Sequence, residues 1–101
     1  MDVAPDANQK LVFNIGTGSA IQPNSVYLEI PVQSADGETT AKVNLSDVPV
    51  NSTIGNLVNE RGLVQGTITY ATGAVEVTPQ RMANKFIQKY QPMFTTTYAA
   101  A

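Results

Sequence analysis

The stretch GTITYATGAVEVT, residues 66–78, has the clearest period of two in the chain and decides the fold. Before Gly73, Ile68 and Tyr70 alternate with threonines, and after it Val75 and Val77 alternate with other residues. This alternation is typical of half-buried β-strands. A glycine between two such runs indicates a tight turn. The stretch therefore predicts a β-hairpin.

The register of this hairpin follows from the length of its loop. An even number of loop residues places Tyr70 opposite Val75 and Ile68 opposite Val77, so that all four side chains share one apolar face. An odd number would set threonines opposite the valines. We therefore expect the even register.

The turn itself is predicted at Tyr70, Thr72 and Gly73. Either Thr72-Gly73 or residues 71–74 form the even loop. Gly73 then supplies the positive φ that such a turn requires, which another residue adopts at a cost of about 1 kcal/mol.

The composition describes one packed domain with few charges. The chain has 101 residues, of which 43% are hydrophobic and 14% are charged. A chain of this length buries about two-thirds of its unfolded surface around a single core. Its polar surface consists of Thr, Asn, Gln and Ser. The first segment, residues 1–9, has no periodicity and is predicted to be a flexible arm.

Cysteine and histidine are both absent. The chain therefore has no thiol ligand or nucleophile, and it lacks the commonest metal ligand and general base. We expect no cofactor, no metal and no catalytic residue. Enzymatic chemistry would depend on convergence of the carboxylates Asp36, Glu38, Asp47, Glu60 and Glu76, and no spacing predicts it.

No membrane span or secretory signal is indicated. The longest apolar runs fall short of the roughly 18 residues of a membrane helix, and the first residues lack a basic and apolar signal pattern. The sequence predicts synthesis in the cytoplasm and no membrane partner.

Further strands flank the hairpin. Leu11, Phe13 and Ile15 alternate in a first strand, which ends at a Gly-x-Gly loop. In residues 25–32 every second residue is apolar, and Pro31 predicts an edge or a bulge because it donates no backbone hydrogen bond. After an Asp36-Gly37 turn, a returning strand completes a second hairpin, with Ala41, Val43 and Leu45 on one face.

Residues 46–65 are ambiguous. Ser52 is a possible cap for a helix presenting Ile54, Leu57 and Val58, with Gly62 after its last turn. Residues 55–58 and 63–64 equally fit two short strands. We favour strands, because the two glycines weaken a helix by about 1 kcal/mol each.

A helix is predicted for residues 79–90. Thr78 is a suitable cap, Pro79 suits the first helical position, and apolar residues recur at spacings of three and four. These are Met82, Ala83, Phe86, Ile87 and Tyr90. The predicted fold is thus a mainly β domain, residues 10–91, built as an antiparallel β-sandwich or β-barrel with one C-terminal helix.

The charges are unevenly distributed. Residues 1–80 hold eight acids and three bases, a net charge of −5, whereas residues 81–101 hold only Arg81, Lys85 and Lys89. The three bases recur every four residues. This stripe is interpreted either as a solvated helix face or as a contact with an acidic surface on a neighbouring subunit. Three bases are too few to indicate nucleic-acid binding.

The last ten residues, 92–101, have no charge and contain two aromatic rings. Disordered tails are normally charged and poor in aromatic residues. We expect a docking tail anchored by Met93, Phe94 and Tyr98, which binds either a partner subunit or its own domain.

Three segments carry a resemblance to a known class of proteins. Residues 66–75 match the Gly-x-Ile/Val-x-Tyr-x-Thr-Gly-x-Val/Ile segment of structural proteins in tailed-bacteriophage virions. Residues 21–26, IQPNSV, resemble the Ile-x-Pro-Gly/Asn-Ser-Val element that precedes it in those proteins. Residues 59–63, NERGL, partly match the Asp/Asn-x-x-Gly-x-Leu turn between them.

The resemblance covers about residues 13–77 and implies a non-enzymatic virion protein. Within that class it implies a capsid decoration protein that bridges shell subunits, present in repeated copies or as a homo-oligomer, with the major capsid protein as its partner. The alternatives are a tail, neck or baseplate component, or a fragment of a capsid protein. A small-ligand binder or carboxylate-dependent enzyme is the alternative of another class.

Overall fold

The chain folds as a set of short antiparallel strands. The computed structural model describes residues 3–8, 10–33, 40–78, 81–82, 86–87 and 89–101. Its strands are β1 (Leu11–Asn14), β2 (Tyr27–Gln33), β3 (Thr40–Pro49), β4 (Ile54–Val58), β5 (Val64–Thr69), β6 (Ala74–Val77), β7 (Arg81–Met82), β8 (Phe86–Ile87), β9 (Lys89–Tyr90) and β10 (Thr95–Thr97). The prediction of a mainly β protein is confirmed.

One antiparallel sheet dominates the architecture. Its strand order is β1-β6-β5-β4-β3-β2-β10, with β9 also paired to β2, and β7 and β8 form a separate two-stranded sheet. Strands β2 to β6 are a simple meander, so the first and last strands of the chain flank it at opposite ends. The sheet curls into a half-barrel.

The concave side of the half-barrel is the core. Inward-facing side chains alternate along the strands, and the fully buried ones include Leu11, Leu28, Ile30, Leu45, Leu57, Ile68, Val75 and Val77. Phe13 of β1 and Phe94, just before β10, lie 4.9 Å apart between ring centroids. The two ends of the sheet therefore meet inside the same core.

Residues 3–8 of the predicted N-terminal arm are tied to both ends of the sheet. The N–H of Val3 donates to the carbonyl of Pro92 at 2.9 Å, and the N–H of Asp6 donates to the carbonyl of Lys10 at 3.0 Å. Val3 also packs against the core. This segment thus spans from the start of β1 to the residues that lead into β10.

The hairpin predicted in residues 66–78 is confirmed as β5 and β6, with a shifted register. Its last pair is Thr69 with Ala74, so the loop is the even, four-residue segment 70–73. The predicted pairs Tyr70–Val75 and Ile68–Val77 are both wrong, because Val75 lies opposite Ile68 and Val77 lies opposite Gly66.

The reason for the shift is that the backbone of Tyr70 bonds elsewhere. Its N–H donates to the carbonyl of Thr53 at 2.8 Å, and its carbonyl accepts from Ile21 at 2.7 Å. The predicted sharing of one face survives the shift, since the side chains at 68, 70, 75 and 77 are all buried. Gly73 has the expected positive φ of 73°.

The second hairpin pairs β2 with β3 as the alternation predicts. Leu28 lies opposite Leu45 and Ile30 opposite Val43. Strand β2 is not the sheet edge that Pro31 suggested. Instead, Pro31 lies where one partner of β2 ends and the next begins, because β10 pairs with residues 27–29 and β9 with residues 32–33. The predicted Asp36-Gly37 turn lies outside the described residues.

The ambiguous segment forms strands rather than a helix. Strands β4 and β5 enclose a turn in which the side-chain Oδ1 of Asn59 accepts the N–H groups of Arg61 at 2.9 Å and Leu63 at 3.0 Å. The register shifts at Leu57 and Val58. This β-bulge gives β5 an extra residue, Gln65, whose side chain is buried.

The predicted helix at residues 79–90 is wrong. Its described residues lie in strands: β7 pairs with β8, and β9 pairs with Val32 and Gln33 of β2. Pro79, Gln80, residues 83–85 and Gln88 lie outside the described part. A helix of this length is marginal in water by itself. Pairing of β9 with β2 satisfies backbone N–H and C=O groups of both strands. This gain exceeds the preference for a helix that the spacing of apolar residues indicates.

Candidate functional site

The most specific polar arrangement in the described part of the chain is centred on Asp47. Asp47 lies on β3 in the inward-facing series that includes Val43 and Leu45, and it is 5% exposed. Its Oδ1 accepts the N–H of Val26 at 2.9 Å. Its Oδ2 accepts the N–H of Asn24 at 2.8 Å and the hydroxyl of Tyr70 at 2.5 Å. Three donors therefore replace the water that the carboxylate loses on burial.

Tyr70 reaches Asp47 because Gly55 leaves room for its ring. A Cβ at residue 55 would overlap the Tyr70 hydroxyl. Burial raises the pKa of Tyr70, and the hydrogen bond to Asp47 and the charge of that carboxylate raise it further. The phenol consequently stays protonated and acts as a donor.

The segment IQPNSV folds around the same carboxylate. Asn24 adopts a positive φ of 66°, which turns the chain so that its N–H points at Asp47. The hydroxyl of Ser25 donates to the carbonyl of Gln22 at 2.7 Å and closes the turn. Ile21 and Val26 are buried on either side. Asp47 thus joins residues 21–26 to the hairpin loop at residues 70–73, whereas the turn at residues 59–63 lies at a separate hairpin.

The other described carboxylates do not converge on Asp47. Glu76 forms an ion pair with Lys10 at 3.1 Å, and Glu29 forms one with Lys42 at 2.6 Å. Glu60 accepts a hydrogen bond from the side chain of Asn44. Asp36 and Glu38 lie outside the described residues. Within the described ranges no group of three or more Asp, Glu, His or Cys side chains is arranged to hold a metal ion.

The predicted basic stripe loses its helical basis. Arg81 lies in β7 and Lys89 in β9, and Lys85 falls outside the described residues. Because β7 pairs with β8 in the small sheet and β9 pairs with β2, the spacing of four no longer places Arg81 and Lys89 on one face of a single element. Contact of these three residues with a neighbour stays a prediction.

The three residues predicted to anchor the tail differ in their burial. Phe94 is 5% exposed and packs on Phe13, whereas Met93 is 65% exposed and Tyr98 is also exposed. Strand β10 pairs with β2, and the N–H of Ala101 donates to the carbonyl of Ala20 at 3.1 Å. The tail is therefore docked on its own sheet through Phe94. Partner contacts through Met93 and Tyr98 stay a prediction.

Asp47 was the residue that sequence reasoning missed as a site. The signal was present in the alternation Val43, Leu45, Asp47, which places an acid on the apolar face of a strand. A carboxylate in such a position requires donors from elsewhere in the fold. The most informative polar residue was thus the one that broke the apolar pattern.

In the described part of the chain, no helix is long and apolar enough to cross a membrane. Comparison of the chain with protein-family models, with curated protein sequences and with solved structures finds no match.

Proposed function

We propose that this chain is a non-enzymatic structural subunit of a tailed-bacteriophage particle, and that it serves as a decoration protein bridging subunits of the capsid shell. The observation that carries the proposal is the joining of two resembling segments by Asp47. Asn24 and Val26 of one segment and Tyr70 of the other donate to the same carboxylate.

These hydrogen bonds support the resemblance, because they join two of the resembling segments in the fold. The turn and the hairpin share a buried partner, as parts of one structural motif would. Here the backbone of Tyr70 also accepts the N–H of Ile21 at 2.7 Å, so the two segments contact each other directly as well. Two of the three segments that resemble phage virion proteins thus form one bonded unit, and the third, residues 59–63, lies at the β4–β5 turn.

The surface chemistry suits assembly rather than turnover. Only 14% of the residues are charged, and Glu76 and Glu29 are each engaged with a lysine. A surface of this kind associates through shape and apolar contact, with little desolvation of charge. The proposed partners are the major capsid protein and further copies of this chain, in the mature virion.

Mass spectrometry and cryo-electron microscopy of purified particles test the proposal. We expect the chain in many copies per virion, with density on the capsid exterior. Density on the tail, neck or baseplate would assign it to another structural component. Absence from mature particles would overturn the structural role.

A further inference from the structure

The convex side of the sheet carries a continuous uncharged area across β3, β4 and β5. Cross-strand pairing sets Val48 beside Asn56 and Asn56 beside Thr67. A neighbouring row sets Ile54 beside Thr69, and a third sets Val58 beside Val64. We call this area the uncharged face, defined by Val48, Ile54, Asn56, Val64, Thr67 and Thr69.

Apolar side chains are exposed on the uncharged face and at both of its ends. Val48, Ile54 and Val64 each expose 41% or more of their surface. Val50, in the turn after β3, and Leu63, in the turn before β5, add two further exposed apolar groups. The exposed apolar side chains in this part of the sheet thus lie close together rather than scattered singly.

Charges surround the uncharged face. The Lys10–Glu76 ion pair lies on the side of β1 and β6, and the Lys42–Glu29 pair lies on the side of β2. Glu60 lies at the β4–β5 turn, bonded to Asn44. An apolar centre with a polar rim is the usual organisation of a protein–protein interface.

The charge pattern limits the chemistry of the partner. A charged group buried against the centre of the uncharged face would find no ionic partner there, because Glu76 and Glu29 are bonded to lysines, and Glu60 and Arg61 lie in the β4–β5 turn at one end of the face. The face therefore fits a protein surface that is itself uncharged. Nucleic acid, whose backbone is anionic, does not fit.

The size of the uncharged face argues against a dimer of two free copies. Three strands about 4.8 Å apart and about five residues long, at about 3.4 Å per residue, cover on the order of 250 Å². A stable complex buries about 800 Å² on each partner. The occupant must therefore be held beside the face by additional contacts, as happens in a multi-subunit shell.

We infer that the uncharged face is the surface through which this chain docks on the capsid shell protein, at an uncharged area rich in apolar and hydroxyl side chains. The inference rests on the proposed function and adds the docking surface to it. Each contact is weak by itself, and repeated copies with neighbouring contacts make the attachment stable.

Lysine substitution on the uncharged face tests this assignment. Thr67→Lys and Val48→Lys each place a charge on the face at an exposed position, so both variants are expected to keep the wild-type circular dichroism spectrum and melting temperature. Thr40→Lys is the matched control: Thr40 is also an exposed strand threonine, at the opposite end of β3 from Val48. The probe is a particle assembled from the same genome with this gene deleted.

We expect wild type and Thr40→Lys to co-sediment with these particles, and the particle affinity of both face variants to fall by about ten-fold or more. Equal binding of all four proteins would overturn the docking face and leave the proposed function intact. Failure of wild type to bind would overturn both. Self-association of the free protein that Thr67→Lys abolishes, with particle binding retained, would assign the face to a second copy and overturn the inference.

Discussion

The hydroxyl of Tyr70 donates a 2.5 Å hydrogen bond to Oδ2 of Asp47, across 23 residues of sequence. The same oxygen accepts the N–H of Asn24. Because Tyr70 begins the loop of the β5–β6 hairpin and Asn24 turns the chain into β2, this one oxygen fixes two loops against β3. A single carboxylate thus holds both loops at that end of the half-barrel, together with the backbone hydrogen bond from Ile21 to Tyr70.

Removal of the Asp47 carboxylate should destabilise the fold strongly. Asp47→Ala leaves the buried donors of Val26 and Tyr70 and the half-buried N–H of Asn24 without this partner, and each buried loss costs about 1–3 kcal/mol. We expect the free energy of unfolding to fall by roughly 3–5 kcal/mol in urea titrations monitored by circular dichroism. Glu76→Ala is the control, because that exposed ion pair contributes at most about 1 kcal/mol. Similar losses for the two variants would contradict the central role of Asp47.

Tyr70→Phe should show a pH-dependent loss of stability. At pH 8 the variant loses a hydrogen bond to a charged acceptor, about 1.5–3 kcal/mol. The pKa of Tyr70 is raised in the folded state from an unfolded value of 10.0. Below pH 10 the phenol is protonated in both states, so its contribution is fully present. Above pH 10 the unfolded state releases this proton while the folded state keeps it, and wild-type stability falls by up to about 1.4 kcal/mol per pH unit.

The difference between wild type and Tyr70→Phe should therefore narrow between pH 10 and pH 12. Urea titrations at pH 8, 10, 11 and 12 measure this difference in the free energy of unfolding. All lysines and the other tyrosines are present in both proteins, so their titration cancels in the comparison. Parallel pH profiles would show that Tyr70 does not retain its proton in the folded state.

Two glycines with positive φ offer a matched test of the hairpin loop. Gly73 and Gly62 have φ values of 73° and 79°. A Cβ at residue 73 would overlap the backbone carbonyl of Ile15, whereas a Cβ at residue 62 meets nothing within 4 Å. Gly62→Ala should therefore lower the free energy of unfolding by only about 1 kcal/mol, the cost of a positive φ for alanine. Gly73→Ala should lower it by at least about 1 kcal/mol more, because of the overlap with Ile15. Equal losses in thermal or urea unfolding would show that Gly73 is required for its φ alone.

The alternating strands were predictable from the sequence because one face of each is buried. The apolar positions of residues 11–15, 26–32 and 43–45 face the core as their period of two indicates. The exact pairing at Tyr70 was not predictable, since it depends on bonds to Thr53 and Ile21, which are distant in sequence. Local alternation determines which face is buried, and tertiary hydrogen bonds determine the register.

In the C-terminal segment the spacing of apolar residues failed to predict even the type of secondary structure. A spacing of three and four between apolar residues normally predicts a helix, but it does not report whether a neighbouring strand has unpaired backbone groups. Strand β2 offers such groups to Lys89–Tyr90 and to Thr95–Thr97. The same limit applies to the site: alternation marks Asp47 as an inward acid, but its donors come from segments that only the fold brings together.

The tail offers a test in which neighbouring residues differ sharply in burial. Phe94 packs on Phe13 with 4.9 Å between ring centroids, whereas Met93 is 65% exposed. Phe94→Ala should lower the free energy of unfolding by about 3–5 kcal/mol, because it removes a buried ring and leaves a cavity where the two ends of the sheet meet. Met93→Ala should change it by no more than about 0.5 kcal/mol.

Truncation after Gln91 should destabilise the isolated domain at least as much as Phe94→Ala, since it also removes β10 from the edge of β2. Thermal unfolding of the three variants checks this, and an unchanged melting temperature after truncation would show that residues 92–101 contribute nothing to their own domain and act only on a partner.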